Sequence, residues 1–310
     1  MIGAWFEEGL VTRGTELDPT GTVGMPVFLR YFEHVRWLLM REEVLGLAAL
    51  VHAGHFFVVR SQTAELRRRI GQGVPLRFQT RLVAVGRSTA EVLHVARKAD
   101  DGAIVARARV LGVWLGPERR MVRLPDRFRE HAWPLDASET PELASGSAAP
   151  AHVEAVRGGL PGSFTEPPEV VLAPLSIAVD PPALPAHTPL FEHRIVVPPR
   201  DLDLFSHVNA ATWLTYADDA RLLATARGLL PHDLGTGYVA RTALHYGREA
   251  IVYDALRVAL GPLDGPVSER HALGAWFFRD PDPEPLCAVR VDLAPGARPL
   301  TAPDPAVKTG

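Results

Sequence analysis

Asp203, His207 and Glu249 make an acid–imidazole–acid set. A histidine held by a carboxylate can take a proton from water near neutral pH, so the set suits general-base work. The same residues admit a plainer reading. Asp203 is then a turn residue, His207 a helix-start residue bonded to backbone, and Glu249 beside Arg248 half of a structural ion pair. Asp18 opens the quartet Asp18-Pro19-Thr20-Gly21, which by itself reads as an Asx-type turn capping a helix; a nucleophile or water-activating base is the alternative. Glu33 is either a helix carboxylate that acts on a substrate or the partner of Arg36 at i+3. Asn209 precedes a helical stretch and reads as its N-cap, with a contact to an oxyanion or substrate as the other role. Asp218 and Asp219 occupy the region that matches Glu33, and a solvated helix face accounts for one of them. His52 and His55 have metal-like spacing but no third ligand beside them, so core or surface histidines are expected and neither a metal nor a cofactor is.

These residues sit in two stretches that repeat. With a shift of 185 positions, Glu16-Leu17-Asp18 falls on Asp201-Leu202-Asp203, Val23 on Val208 and Leu29 on Leu214. Tyr31 falls on Tyr216, Glu33 on Asp218 and Arg36 on Arg221 without a gap. Special residues held in fixed register over such a run point to duplication. Each copy predicts a strand (Val11 to Leu17; Arg194 to Val197) leading into the acidic triplet. A helix follows, over Val23 to about Leu47 in one copy and Asn209 to about Arg227 in the other, on helical spacing of Phe28, Phe32, Val35 and Leu39 and of Trp213, Ala217, Ala220 and Ala224. Gly228 is placed to end the second helix. Strands then follow in series: 56–61, 76–85, 90–99 and 104–115 in the first copy, and 238–246, 251–260, 271–278 and 286–293 in the second. Asp100-Asp101-Gly102 serves as a hairpin turn. A long helix followed by antiparallel strands suggests a curved sheet wrapped around that helix.

Between the copies, from about 131 to 189, prolines such as Pro161, Pro167, Pro168, Pro181 and Pro182 recur among Ala, Ser and Gly. Proline removes backbone donors and biases its neighbour away from helix, so a linker is expected, with room for one short strand at 170–179. The 310 residues carry 47% hydrophobic and 22% charged residues and a net charge of −3, a globular balance with no basic excess for nucleic-acid binding. One cysteine, Cys287, excludes an intrachain disulfide and a four-cysteine zinc site. The start of the chain lacks a basic, apolar leader, and the most apolar run, 37–59, is cut by Arg41, Glu42 and Glu43. No membrane association and a reducing cytoplasm are therefore expected.

The first copy, through Asp18-Pro19-Thr20-Gly21 and Tyr31-Phe32-Glu33-His34-Val35-Arg36, resembles the hotdog-fold acyl-CoA thioesterases of the 4-hydroxybenzoyl-CoA type. The step Phe28-Leu29-Arg30-Tyr31 is similar to thioesterases of enediyne polyketide pathways. The second copy, through Asp201-Leu202-Asp203-Leu204-Phe205-Ser206-His207-Val208-Asn209, resembles plant-type acyl-carrier-protein thioesterases, which are tandem hotdog proteins. Leu244-His245-Tyr246-Gly247-Arg248-Glu249 resembles a segment of that family whose glutamate belongs to the active site. The resemblance implies thioester chemistry and makes Asp18, Glu33, Asp203, His207 and Glu249 the candidate catalytic residues. It also directs attention to the turns Gly21 to Met25 and Ser206 to Asn209 as sources of oxyanion donors at a helix N-terminus. Gly21 and Gly24 would let a ligand approach the backbone closely, and Phe205 and Asn209 complete the candidate binding residues. Two departures stand out. Phe205 replaces an asparagine of the plant-type pattern, so it walls the acyl pocket or blocks it. Thr22 occupies the position of His207 in the first copy.

The expected fold is therefore α+β, with two tandem hotdog domains, 1–130 and 190–310, joined by the 131–189 linker into an intrachain pseudo-dimer. It stands alone or pairs again as a homodimer. The expected activity is hydrolysis of an acyl thioester, on an acyl carrier protein or coenzyme A, in fatty-acid or polyketide metabolism. A hotdog dehydratase pairing His207 with Glu33 or Asp18 is a rival, weakened because no Gly-Pro segment follows His207. A non-catalytic acyl-thioester-binding protein is the other. The Arg67-Arg68-Arg69 run, with Arg77 and Arg81, is either a dock for phosphates or an acidic carrier, or a solvated surface.

Overall fold

The computed structural model describes residues 5–18, 21–41, 45–132, 182, 189–203, 205–231, 234, 237–263 and 272–294. Most of the expected linker, with its strand at 170–179, lies outside these residues.

Helix α1 (Met25–Leu39) begins at Gly24 with Pro26 in its first turn, where a missing backbone donor is no loss. Its buried face carries Phe28, Leu29, Phe32, Val35, Arg36 and Leu39, at the expected spacing. It ends earlier than the sequence suggests. Gly46 takes a left-handed conformation (φ 59°) and a separate short helix, α2 (Leu47–His52), follows. A second short helix, α3 (Asp126–Glu130), closes the first half of the chain. Helix α4 (Ala210–Ala226) is capped by Asn209, whose side chain accepts from the Ala211 amide at 2.8 Å. It buries mostly small residues, Ala211, Ala217, Ala220 and Ala224, beside Trp213 and Leu214, and Gly228 follows its end with φ 70°.

Among the described residues, ten strands form one continuous antiparallel sheet. They are β1 (Phe6–Val11), β2 (Phe56–Leu66), β3 (Pro75–Val85), β4 (Thr89–Lys98), β5 (Ile104–Leu115), β6 (Phe191–Val196), β7 (Tyr238–Tyr246), β8 (Ala255–Pro262), β9 (Ala272–Arg279) and β10 (Cys287–Ala294). Their order is β1-β3-β4-β5-β2-β7-β10-β9-β8-β6. Read inward from either edge, the strands of each half occur in the same sequence, first-third-fourth-fifth-second. The halves meet where β2 pairs with β7, from Ser61 opposite His245 to Glu65 opposite Arg241. That pairing turns what would be two exposed edges into the middle of the sheet. Helices α1 and α4 pack together, and one core cluster contains Phe28, Phe32 and Val35 of α1 with Trp213, Leu214 and Ala217 of α4. A long helix against an antiparallel sheet is the hotdog arrangement.

Several strand boundaries differ from expectation, some because a local polar bond wins and others because sheet pairing extends the strand. The first strand is Phe6–Val11 rather than 11–17, since Glu16 accepts from the Arg13 amide at 2.8 Å and folds 14–16 into a 3-10 turn. Strand β2 runs on to Leu66, extended by its pairing with β5 and β7. Strand β8 starts at Ala255 rather than Ile251, because Asp254 accepts from the Ile251 amide at 2.9 Å and Tyr253 adopts φ 65°.

Candidate active site

The turn before each helix is built alike. In the second copy, Asp203 Oδ1 accepts from the amides of Phe205 (2.8 Å) and His207 (3.2 Å), while the Asp203 amide donates to the His207 carbonyl at 2.7 Å. In the first copy, Asp18 Oδ1 accepts from the Thr22 amide at 3.2 Å, and the Asp18 amide donates to the Thr22 carbonyl at 2.8 Å. Gly21 has φ 78° in this turn, a conformation glycine adopts without strain. Both aspartates are thus turn residues, as their local sequence suggests. The Asp203 carboxyl is also pushed above the usual carboxylate range, first by burial and further by the nearby Glu33 charge, with the two amides and His207 opposing.

The two turns then diverge. Val208 donates to the Ala250 carbonyl at 2.8 Å, and Val23 donates to the Ile70 carbonyl at 2.9 Å. Ala250 and Ile70 therefore occupy equivalent places, and the residues before them, Glu249 and Arg69, are counterparts. Glu249 Oε2 lies 3.0 Å from His207 Nε2. Arg69 instead donates to Thr22 Oγ1 at 2.8 and 3.1 Å and lies 5.1 Å over the Tyr238 ring. The sequence shift of 185 hides this match, because the segment between helix and strand differs in length between the copies.

The first half of the chain completes the second-copy site. Glu33, on α1, accepts from Asn209 Nδ2 at 2.6 Å, so Asn209 caps α4 with one end of its amide and holds Glu33 with the other. Arg119, in the turn after β5 with φ 56°, bonds both Glu249 oxygens and lies 3.3 Å from His207 Nε2. Arg119 was not anticipated; its Gly116-Pro117-Glu118-Arg119 turn carries no motif, and only the fold brings it to Glu249. His207 is 14% exposed, against 42% for Glu249 and 51% for Arg119, so the imidazole sits beneath an ion pair at the surface.

Glu33, Asp203, His207 and Glu249 line one cavity of about 500 Å³, with Trp37, Met40, Phe57 and Trp213 among its apolar walls. Phe205 lines it too, 5.2 Å from the Phe56 ring and 5.8 Å from Trp37, so it forms a wall. Asp18 and Gly24 line a separate cavity of about 530 Å³ with Asp218 and Asp219, away from His207. The Asp219 carboxyl is raised there by burial and by Asp218.

The amides of the Ser206–Asn209 turn all have acceptors within the protein. In the Ser206–Asn209 turn, Ser206 donates to the Asp203 carbonyl, His207 to Asp203 Oδ1, Val208 to Ala250 and Asn209 to the Asp201 carbonyl. The next residue, Ala210, heads α4 and lines the cavity, and a helix ladder supplies no acceptor for its first amide. The basic run is internal as well: Arg67 pairs with the fully buried Glu65 at 2.7 Å, and Arg69 holds Thr22.

Residues 12–145 match the family profile described as the Thioesterase-like superfamily. No curated protein sequence matches the chain. Among solved structures, the 12:0-ACP thioesterase from Umbellularia californica superposes with a TM-score of 0.66 at 15% identity, over 94% of this chain and 94% of that one. An acyl-ACP thioesterase from Bacteroides thetaiotaomicron gives 0.63 at 18% identity, over 94% and 98%. At these identities the likeness is one of fold. Among the described residues, no helix is long and apolar enough to cross a membrane.

Proposed function

We propose that this protein hydrolyses acyl thioesters in the cavity that holds His207. The observation that carries the reading is the pairing of His207 with Glu249 at 3.0 Å, in a cavity lined by Trp37, Met40, Phe57 and Trp213 and by Ala210, the first residue of α4. The His207–Glu249 pair takes a proton from water, and the water oxygen bonds to the thioester carbonyl carbon. Negative charge collects on the carbonyl oxygen, where the Ala210 amide and the positive end of α4 stabilise it. The carbon–sulfur bond then breaks, and the departing sulfur receives the proton. Asp203 positions His207 through the turn amides, and Glu33 is held at the cavity by Asn209.

The chain reads as two hotdog units, 1–130 and 190–310, joined by 131–189 into a pseudo-dimer. The repeated strand order and the β2–β7 junction support this. The second copy supplies Asp203, His207 and Glu249, and the first supplies Glu33 and Arg119. The exchange of His207 and Glu249 for Thr22 and Arg69 supports a single hydrolytic site. The thioester is carried by an acyl carrier protein or coenzyme A, in line with the acyl-ACP thioesterases that share the fold, and fatty-acid or polyketide metabolism is the setting.

Free-thiol release from a panel of acyl-CoA and acyl-carrier-protein thioesters tests this reading. Turnover by the wild type that falls about 10²- to 10⁴-fold in His207→Gln is expected, the contribution of a general base. Absence of thiol release from every substrate by folded protein would overturn it.

A further inference from the structure

Arg36 stands out in the wall of the His207 cavity. It is only 4% exposed, yet its guanidinium makes no hydrogen bond or ion pair among the described residues, and Nη1 is fully buried without a partner. Its counterpart in the second copy behaves differently. Arg221 is equally buried, but it bonds Asp218 Oδ1 at 2.8 Å and the Leu234 carbonyl. The residue corresponding to Asp218 is Glu33, which Asn209 draws aside. Arg36 thus loses its i−3 partner to the opposite half of the molecule and is left lining a cavity that Trp37, Met40, Phe57 and Trp213 share with Glu33, Asp203, His207 and Glu249. An unsatisfied buried cation is strongly unfavourable unless something else completes it.

What is missing is an acceptor rather than a counter-charge. The Glu33 carboxylate is close enough to favour the charged guanidinium, although burial, the larger effect, lowers its pKa. Arg36 follows Glu33 by three residues on the same helix face, about 5 Å along α1. Arg36 and His207 line the same cavity, so an oxygen on an acyl chain bound there could supply the acceptor that the guanidinium lacks.

We propose that Arg36 donates hydrogen bonds to a neutral oxygen on the acyl chain, so that the substrates are thioesters of oxygenated acids, 3-hydroxyacyl or 3-oxoacyl, rather than plain alkanoyl thioesters. This rests on the thioester reading of the same cavity. The test compares kcat/KM for 3-hydroxyacyl, 3-oxoacyl, ω-carboxyacyl and unsubstituted acyl thioesters of equal length, in wild type, Arg36→Met and Arg36→Lys. The wild type is expected to favour the hydroxy or oxo substrates by about 10- to 100-fold, the discrimination of one charge-assisted hydrogen bond. In Arg36→Met that ratio falls to about one, and Arg36→Lys, which keeps the charge but loses the planar fork, lies between. Because the readout is a ratio within each protein, a general loss of activity does not mimic it. A wild-type ratio near one, a ratio unchanged in Arg36→Met, or a preference for the ω-carboxyacyl substrate would overturn the proposal. Should the wild type hydrolyse none of the four, the same ratio is read from equilibrium binding of their non-hydrolysable amide analogues. A preference for oxygenated chains that Arg36→Met abolishes then upholds Arg36 while the hydrolytic reading fails. Equal binding overturns both.

Discussion

Asn209 Nδ2 donates to Glu33 Oε2 across 2.6 Å, and the two residues belong to opposite halves of the sheet. Asn209 Oδ1 simultaneously caps α4 through the Ala211 amide. One amide group therefore joins the start of the second long helix to a carboxylate on the first. Removing it with Asn209→Ala should lower stability by about 1 kcal/mol, the usual worth of a cap. Asn209→Asp keeps the cap acceptor but sets two carboxylates against each other. It should be destabilising at neutral pH and recover on acidification, as one of the pair takes a proton. Urea unfolding at pH 5 and pH 8 reads both effects.

The asymmetry between the copies predicts unequal consequences for matching aspartates. Asp18 sits in the turn whose later positions are Thr22 and Arg69, and Asp203 in the turn of His207 and Glu249. Asp18→Ala is expected to keep thioester turnover within about twofold while lowering stability by about 1 kcal/mol for the lost turn bonds. Asp203→Ala is expected to reduce turnover by at least about tenfold, since the backbone that presents His207 loses its acceptor. Parallel thiol-release assays and thermal melts separate the two.

Asp203 also gives a pH signature. Its folded pKa is raised, chiefly by burial. The native state therefore holds that proton to higher pH than the unfolded chain, which releases it near the ordinary value of about 3.9. The stability contributed by the protonated form is complete below that value and is lost as pH rises through the folded pKa. Asp203→Asn retains an Oδ1 acceptor for the two amides and has no proton to lose. Its stability relative to wild type should thus be greatest at neutral pH and shrink toward pH 3.5. Chemical denaturation across that range measures it, and a gap that widens on acidification would contradict it.

Phe205 packs between Trp37 and Phe56 on the cavity wall. Phe205→Ala should cost about 1–3 kcal/mol, below the full penalty for a core phenylalanine because the ring is only partly buried. It should also enlarge the cavity and shift acyl preference toward bulkier chains. Competition between short and long acyl thioesters reads that shift. If Phe205 only closed the site, every chain length would gain equally.

Arg119 and Glu249 form an exposed pair above His207. Such pairs contribute about 0–1 kcal/mol, so Arg119→Ala should leave the melting temperature nearly unchanged. Its effect should fall on turnover, because Arg119 fixes the carboxylate that His207 uses. The split between unchanged stability and altered kcat distinguishes positioning from a structural role.

The linear sequence determined most of what local periodicity and capping set. The acidic triplets dictated two similar turns, helical spacing gave α1 and α4, Asn209 marked a cap, and the repeated register carried Tyr31 and Arg36 onto Tyr216 and Arg221. Periodicity and capping depend on neighbours within a few residues, so they can be read without knowing what lies across the sheet. Boundaries failed where a side chain bonded locally against the pattern, as Glu16 does at Arg13 and Asp254 at Ile251. Only the tertiary structure decided which residues share a cavity. The β2–β7 pairing merges the two sheets and brings Glu33 and Arg119 of one half against Asn209 and Glu249 of the other, contacts between residues 176 and 130 positions apart. It also decided that Glu249 and Arg69 are counterparts and that Arg36 lacks the partner Arg221 has. A partner drawn away across a domain junction leaves no trace in the spacing of Glu33 and Arg36, because the competition for Glu33 exists only once the two helices pack.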